Sequence, residues 1–299
     1  MKLRNLGEDQ LLNLLLAGPS LGKAVAVGPG DDCALVAIHD RRKLLVLKVD
    51  CVVEGVHFLR RTSASDVGWK AMMRPLSDFA ATSAVPHFAL ITVIVPEQTK
   101  VAWIKQLYRG LRRAARRFDV SIVGGETSST PGEIAISTSV IGFVEKHRAV
   151  SRRGGKPGDD LFVTGRLGGA LRQKHLQFIP RIVESRWLTE NFSIRAMMDL
   201  SDGLGADLPR LARASKVGFK LDAENLPLTG GAKINDAISE GEDYELLFAI
   251  SPRDRNRLER EWKKRFPRLP LTPIGSLSRL STKDNQLLAR GYVHFQQSG

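Results

Sequence analysis

An α/β (α+β) protein made of two α/β halves, with helices covering sheet faces, is predicted by three observations. Runs of β-branched residues alternate with helical periodicity along most of the chain. A Gly- and Pro-bearing break, SRRGGKPG, interrupts that alternation at 151–158 and divides the chain into 1–148 and 149–299. The length of 299 residues and a hydrophobic content of 42% suffice for two domains with a real core.

Strands are expected at 44–50 (LLVLKVD), 89–95 (ALITVIV) and 134–144 (IAISTSVIGFV), each bounded by Gly, Pro or charge. Between them, 66–83 and 97–118 have helical periodicity, with Asp66 as the N-cap of the first. Beyond the break come a strand at 161–164 (LFVT), a helix at about 203–215, a strand at 245–250 (ELLFAI) and a basic helix. No internal repeat or low-complexity tract is visible.

Composition narrows the function. No apolar run approaches the ~18 residues that span a bilayer, so no membrane partner is expected. The N-terminal segment has acidic residues and an Asn among its leucines, unlike a secretory signal. Cys33 and Cys51 are too few for a disulfide scaffold and fit a cytoplasmic location; as lone thiols they read as small buried fillers. Forty-five Lys and Arg against 32 Asp and Glu leave a net charge of +13, which favours phosphorylated or polyanionic partners. The excess is concentrated in YRGLRRAARRF (108–118) and RDRNRLEREWKKRFPR (253–268). Leu107, Leu111 and Phe118, like Leu258, Trp262 and Phe266, recur at helical spacing, so the basic residues take the opposite, solvated faces. Zinc-finger spacing and RNA-binding aromatic motifs are absent, and nucleic-acid binding is the weaker reading.

The chemistry lies in acidic residues expected at turns. Asp31 and Asp32 follow Gly28-Pro29-Gly30, Asp50 ends an apolar strand, and Asp78 sits in Leu76-Ser77-Asp78. Gly124-Gly125-Glu126-Thr127 follows the buried-looking Ser121-Ile122-Val123. Asp199-Leu200-Ser201-Asp202-Gly203 precedes a helix, and Gly241-Glu242-Asp243-Tyr244-Glu245 precedes a strand. An acid beside Gly is ordinarily a turn or a cap, but six such clusters in a basic protein ask for more. Converging carboxylates repel by roughly 4 kcal/mol per pair at 4 Å and an effective dielectric of 20. Oxygen donors without a Cys/His framework point to Mg²⁺, which bridges carboxylates to substrate phosphates. Gly124-Gly125 can let a polyphosphate approach the backbone closely. The P-loop, the dinucleotide-binding glycine pattern and the protein-kinase motifs are all missing.

Taken in order, GDDCALV (30–36), D-x-x-x-EGVHF (50–58), K-A-x-x-x-x-LSD-x-A-A (70–81), GGET (124–127), DLSDG (199–203) and GEDYELLF (241–248) resemble the thiamine-monophosphate kinase family. LGE (6–8) and GYVHF (291–295) extend the resemblance nearly end to end. That family belongs to the aminoimidazole-ribonucleotide-synthetase-like superfamily, which implies its two-domain fold of mixed sheets covered by helices. The resemblance implies Mg²⁺-dependent transfer of the γ-phosphoryl group of ATP to thiamine monophosphate, by direct in-line attack. It also implies a homodimer, an N-terminal domain that binds ATP and Mg²⁺ and dimerises, and a C-terminal domain that completes the active site. Position by position, Asp32, Asp50, Asp78, Asp199 and Asp202 match family metal ligands, and Glu126 stands where the family has Asp. Asp50 and Asp202 are matched to the catalytic centre, while Gly125, Glu126, Arg152 and Ser201 match ATP contacts. His57, Glu242 and Tyr292 match substrate contacts.

Several positions depart from that pattern. Lys48 and Val49 replace two hydroxyl residues before Asp50. Strand alternation puts Lys48 on the Asp50 face, where its ammonium is a candidate catalytic group in place of one bound Mg²⁺. Pro75 replaces an Asn, Glu240 a Gly and Val293 an Asp, and the 165–199 segment is short. A diverged relative that keeps nucleotide binding, and a basic nucleic-acid-binding or scaffold protein, are the other readings.

Overall fold

The computed structural model describes residues 8–16, 21–172 and 174–280. A six-stranded sheet has the order β1 (Val25–Val27), β2 (Ala34–Ala37), β3 (Lys43–Val53), β6 (Ala135–Glu145), β4 (Val85–Val95), β5 (Ser121–Ser129). It is mixed, because the β4–β5 pair is parallel while the other pairings are antiparallel. A five-stranded sheet follows, ordered β8 (Ala196–Asp199), β10 (Leu246–Ile250), β7 (Asp160–Thr164), β11 (Leu271–Ser278), β9 (Gly218–Leu221), and its pairings are antiparallel.

Helices α2 (Ala64–Ala81) and α3 (Val101–Arg117) pack beside the first sheet. Most of α2 is buried, as its apolar composition on nearly every face requires. Its crossing with α3 is backbone against backbone. A Cβ on Gly68 would lie 2.1 Å from the Leu107 carbonyl oxygen, and one on Gly110 would lie 1.9 Å from that of Ser65. Only glycine permits this approach. The expected amphipathicity of α3 is present: Leu107, Gly110, Leu111 and Ala114 face inward, and Arg109, Arg112, Arg113, Arg116 and Arg117 are exposed. In α8 (Arg255–Arg265), Leu258 and Trp262 are likewise buried.

The core does not respect the 151–158 break. One cluster joins Met72 and Phe79 of α2 to Met197 of β8, Phe248 of β10, Leu188 of α5 (Ile182–Asn191) and Trp262 of α8. The opposite face of the second sheet, including Val163, Met198 and Leu247, is covered by Leu204, Leu208 and Leu211 of α6 (Leu204–Ser215). The first sheet has no such second layer among the described residues. Register aligns Leu47 with Ile141 and Phe88, and Val49 with Ser139 and Leu90. Leu47, Val49, Phe88 and Leu90 are exposed there.

Four local expectations are corrected. The strand expected at 44–50 runs on to Val53, because β6 pairs with it continuously from Lys43↔Glu145 to Val53↔Ala135; Asp50 is therefore inside a strand. Helix α2 starts at Ala64 with Ser63 as cap, and Asp66 sits in the first turn, where the helix dipole favours an acid. Ser121 and Val123 are exposed, not buried, because β5 is an edge strand. Gly124 and Gly125 lie within β5 and form no turn; a Cβ on Gly125 would fall 1.8 Å from the Ile91 carbonyl oxygen, so glycine lets β5 close on β4. Among the described residues, no helix is long and apolar enough to cross a membrane.

Candidate active site at the junction of the two sheets

Four segments bring acids together. The turn between β1 and β2 carries Asp31 and Asp32, α2 carries Asp78, β3 carries Asp50, and the end of β8 carries Asp199. Asp32, Asp78 and Asp199 are buried, and each offers an oxygen within 4.8 Å of the others. One oxygen of each is engaged. Arg152 Nε donates to Asp32 Oδ1 at 3.1 Å, Lys48 Nζ to Asp78 Oδ1 at 2.8 Å, and Ser77 Oγ to Asp199 Oδ2 at 2.6 Å. Asp32 Oδ2 is buried with no hydrogen-bond partner.

The electrostatics follow this crowding. Burial, followed by the charge of Asp32, pushes Asp199 up to about 6, against the Ser77 hydroxyl. Burial, then Asp32, likewise raises Asp31 to about 6. Asp78 is raised by burial and by Asp199 and Asp50, although Lys48 opposes. Burial acts against the ionised form of Asp50 as well, but Lys48 and Arg74 outweigh it and hold that carboxyl below the ordinary value. Lys48 Nζ lies 3.8 Å from Asp50 Oδ2, and Arg74 Nη2 lies 3.6 Å from Asp50 Oδ1. Val49 points the other way and is 59% exposed, so of the two departures before Asp50 only Lys48 enters the site.

The remaining expected residues fall into separate groups. Ser201 and Asp202 sit in a loop fixed by Asp207 Oδ2, which accepts both of their backbone N–H groups at 3.0 Å. Arg210 pairs with Asp202 and with Asp207. Glu126 is exposed on β5, and its Oε1 accepts the Thr127 N–H at 3.0 Å, so neither it nor Gly125 is drawn into the trio. His57 Nδ1 accepts the Val53 N–H at 3.0 Å, which ties the ring to the turn after β3. Tyr292 lies outside the described residues.

Glu242 forms a hub of its own. Lys70 Nζ, fully buried, donates to Glu242 Oε2 and to the His57 carbonyl at 2.6 Å each, and His175 Nδ1 lies 2.8 Å from both Lys70 Nζ and Glu242 Oε2. Burial opposes ionisation of Glu242, but His175 and Lys70 win and hold it at about 2, while burial lowers Lys70 to about 8. Glu242 and Tyr244 adopt left-handed φ of 67° and 51°, a strain that marks this turn. It is held by Glu242 N–H to the Ser201 carbonyl at 2.7 Å and Tyr244 N–H to that of Leu200 at 2.8 Å, so two motif turns are pinned together. Glu240, which replaces a Gly of the family pattern, accepts the Gly169 N–H at 2.7 Å.

Sequence reasoning missed Lys70, Arg74, Ser77, Asp207, Arg210 and His175 as site-building residues. Lys70, Arg74 and Asp78 recur at four-residue spacing on α2, and that helical period was the available signal. Nothing at sequence level ties His175 to Glu242.

The three buried carboxylates, with an acceptor oxygen unspent, fit a hard divalent cation of the Mg²⁺ type, which takes oxygen ligands. Residues 30–144 match the model of the AIR synthase related protein N-terminal domain, and 152–260 match that of the C-terminal domain. The thiamine-monophosphate kinase of Rhodopirellula baltica is 34% identical over 296 residues, covering 90% of this chain and 92% of that one. That of Aquifex aeolicus is 33% identical, covering 99% and 100%. The solved structure of AaThiL complexed with AMPPCP and TMP has a TM-score of 0.83 at 32% identity, covering 98% of this chain and 99% of that one. With both family models matched in order and identity sustained along its length, this chain belongs to the thiamine-monophosphate kinase family of AIR synthase related proteins.

Proposed function

We propose that the protein transfers the γ-phosphoryl group of ATP to thiamine monophosphate and releases thiamine diphosphate. The observation that carries this reading is the convergence of Asp32, Asp78 and Asp199 between the two sheets, in a chain whose relative binds AMPPCP, an ATP analogue, together with TMP. These three carboxylates would hold Mg²⁺, which would supply charge neutralisation and orientation to the transferring phosphoryl group. Arg152, anchored on Asp32, reaches the polyphosphate with the rest of its guanidinium. Ser201 and Asp202 lie on a loop whose backbone is already fixed by Asp207, so meeting nucleotide there costs little further ordering. Gly125 and Glu126, on the β5 edge, would contact the nucleotide. On the acceptor side, Lys70 and His175 hold the Glu242 carboxylate in place, and His57 and Tyr292 complete the contacts. The acceptor is already an anionic phosphate, so in-line transfer needs positioning and charge neutralisation more than a strong base. The apolar face of the first sheet, uncovered among the described residues, supports a homodimer.

ATP and thiamine monophosphate are to be incubated with the protein across a Mg²⁺ titration, with products identified by mass spectrometry. Thiamine diphosphate appearing with Mg²⁺ is the expected result. ATP binding without turnover favours a changed acceptor, and no ATP binding leaves only the fold in common. Light scattering is expected to give twice the mass of the chain.

A further inference from the structure

The charge of Asp50 is met from two sides by this chain's own cations. Lys48 Nζ lies 3.8 Å from one of its oxygens, and Arg74 Nη2 lies 3.6 Å from the other. The Lys48 ammonium also donates to Asp78 Oδ1 at 2.8 Å, so one cation serves both Asp50 and Asp78, whose carboxyls also meet each other directly. A divalent ion bridging those two carboxylates would lie against a fixed positive charge that already pairs with both. Asp32, Asp78 and Asp199 keep a different arrangement, with an orphaned oxygen on Asp32.

We propose that Lys48, backed by Arg74, is a resident cation that takes the place of a divalent ion between Asp50 and Asp78. The metal-holding set of this chain is then Asp32, Asp78 and Asp199, and Asp50 ligates no ion. This rests on the magnesium–nucleotide reading above and adds a count to it. Lys48 acts by holding two carboxylates together, so it is a positioning residue. A tethered ammonium cannot dissociate, which makes this half of the site independent of free metal concentration.

The test counts Mn²⁺ bound per chain, from the electron paramagnetic resonance signal of free Mn²⁺, with a non-hydrolysable ATP analogue present and no acceptor. Lys48→Thr removes the ammonium and supplies a hydroxyl ligand, and is expected to bind one more Mn²⁺ than the unmodified protein. Asp50→Asn in the unmodified background is expected to leave the count unchanged, and it decides the matter alone if Lys48→Thr does not fold. An unchanged count in folded Lys48→Thr, or loss of one ion in Asp50→Asn, overturns the inference and leaves the kinase reading standing. If the unmodified protein binds no Mn²⁺ with the analogue, the metal–nucleotide reading falls and this inference falls with it.

Discussion

Glu242, Asp243 and Glu245 lie among donors supplied by the protein itself, whereas Asp32, Asp78 and Asp199 are left with an acceptor unspent. Glu245 takes a two-pronged contact from Arg181 at 2.6 and 2.7 Å, the Thr164 hydroxyl at 2.9 Å and Lys174 at 3.1 Å. Asp243 accepts the Gly168 N–H at 3.0 Å, and Glu242 is held by Lys70 and His175. In the trio, one oxygen per carboxylate is engaged by Arg152, Lys48 or Ser77, and Asp32 Oδ2 has nothing. Both clusters gather acids in poorly solvated surroundings. The difference teaches that acid density alone does not mark a metal site; incomplete internal neutralisation does.

The sharpest way to break this comparison is Asp199→Asn. Loss of a cation-holding carboxylate is expected to cut phosphoryl transfer at least about 100-fold. Without metal, the melting temperature is expected to stay level or rise, since a repulsion is removed. A marked fall in melting temperature would place Asp199 with the self-neutralised group. Lys70→Met tests the other cluster. It leaves Glu242 without its buried ammonium and is expected to cost about 3 kcal/mol, read from urea midpoints and unaffected by Mg²⁺. A loss no larger than that of a surface ion pair would show that Glu242 does not depend on it.

A smaller effect separates the two clusters directly. With Mg²⁺ at tenfold its dissociation constant, the folded state gains about 1.4 kcal/mol. Thermal melts are expected to show that gain in the unmodified protein and in Lys70→Met, and to lose it in Asp199→Asn. The smallest concerns Asp243, which burial pushes up to about 7 against Lys174 and the Gly168 N–H. Its folded pKa lies above its unfolded value, so its contribution is present at low pH and lost as pH rises towards about 7. Between pH 6 and 7 that loss amounts to about 1 kcal/mol. Asp243→Asn keeps an acceptor for Gly168 and is expected to flatten this stretch of a stability–pH profile; an unchanged slope would assign it to another group.

Much of the architecture was legible because it follows from side-chain period. The apolar alternation of β3, β4 and β6 and the amphipathic faces of α3 and α8 are properties of contiguous residues. Strands β1, β8 and β9 escaped notice because three or four residues do not establish a period. Strand β5 misled for another reason: Gly124-Gly125 is a turn signal, yet here those residues close an edge strand on its neighbour. In the site, the aspartates of the trio were visible as motifs, and the placement of Lys48 on the Asp50 face followed from alternation. The partners that fix them were less visible. Ser77 meets Asp199 across 122 positions and Lys70 meets Glu242 across 172, and no local pattern encodes such pairings.

The backbone-to-backbone crossing at Gly68 and Gly110 divides α3 into two mutational regimes. Apart from Arg113, which lies over the Trp69 ring and near Asp66, its outer face touches little, so replacements of the other arginines should pass unnoticed in a saturation screen. Its inner face is a lever. Any side chain at Gly110 must push α2 away at Ser65, and Asp78 lies about 20 Å further along that same helix. A methyl group added well outside the acid trio would thus register in the screen as lost turnover, from a position that touches no reacting atom.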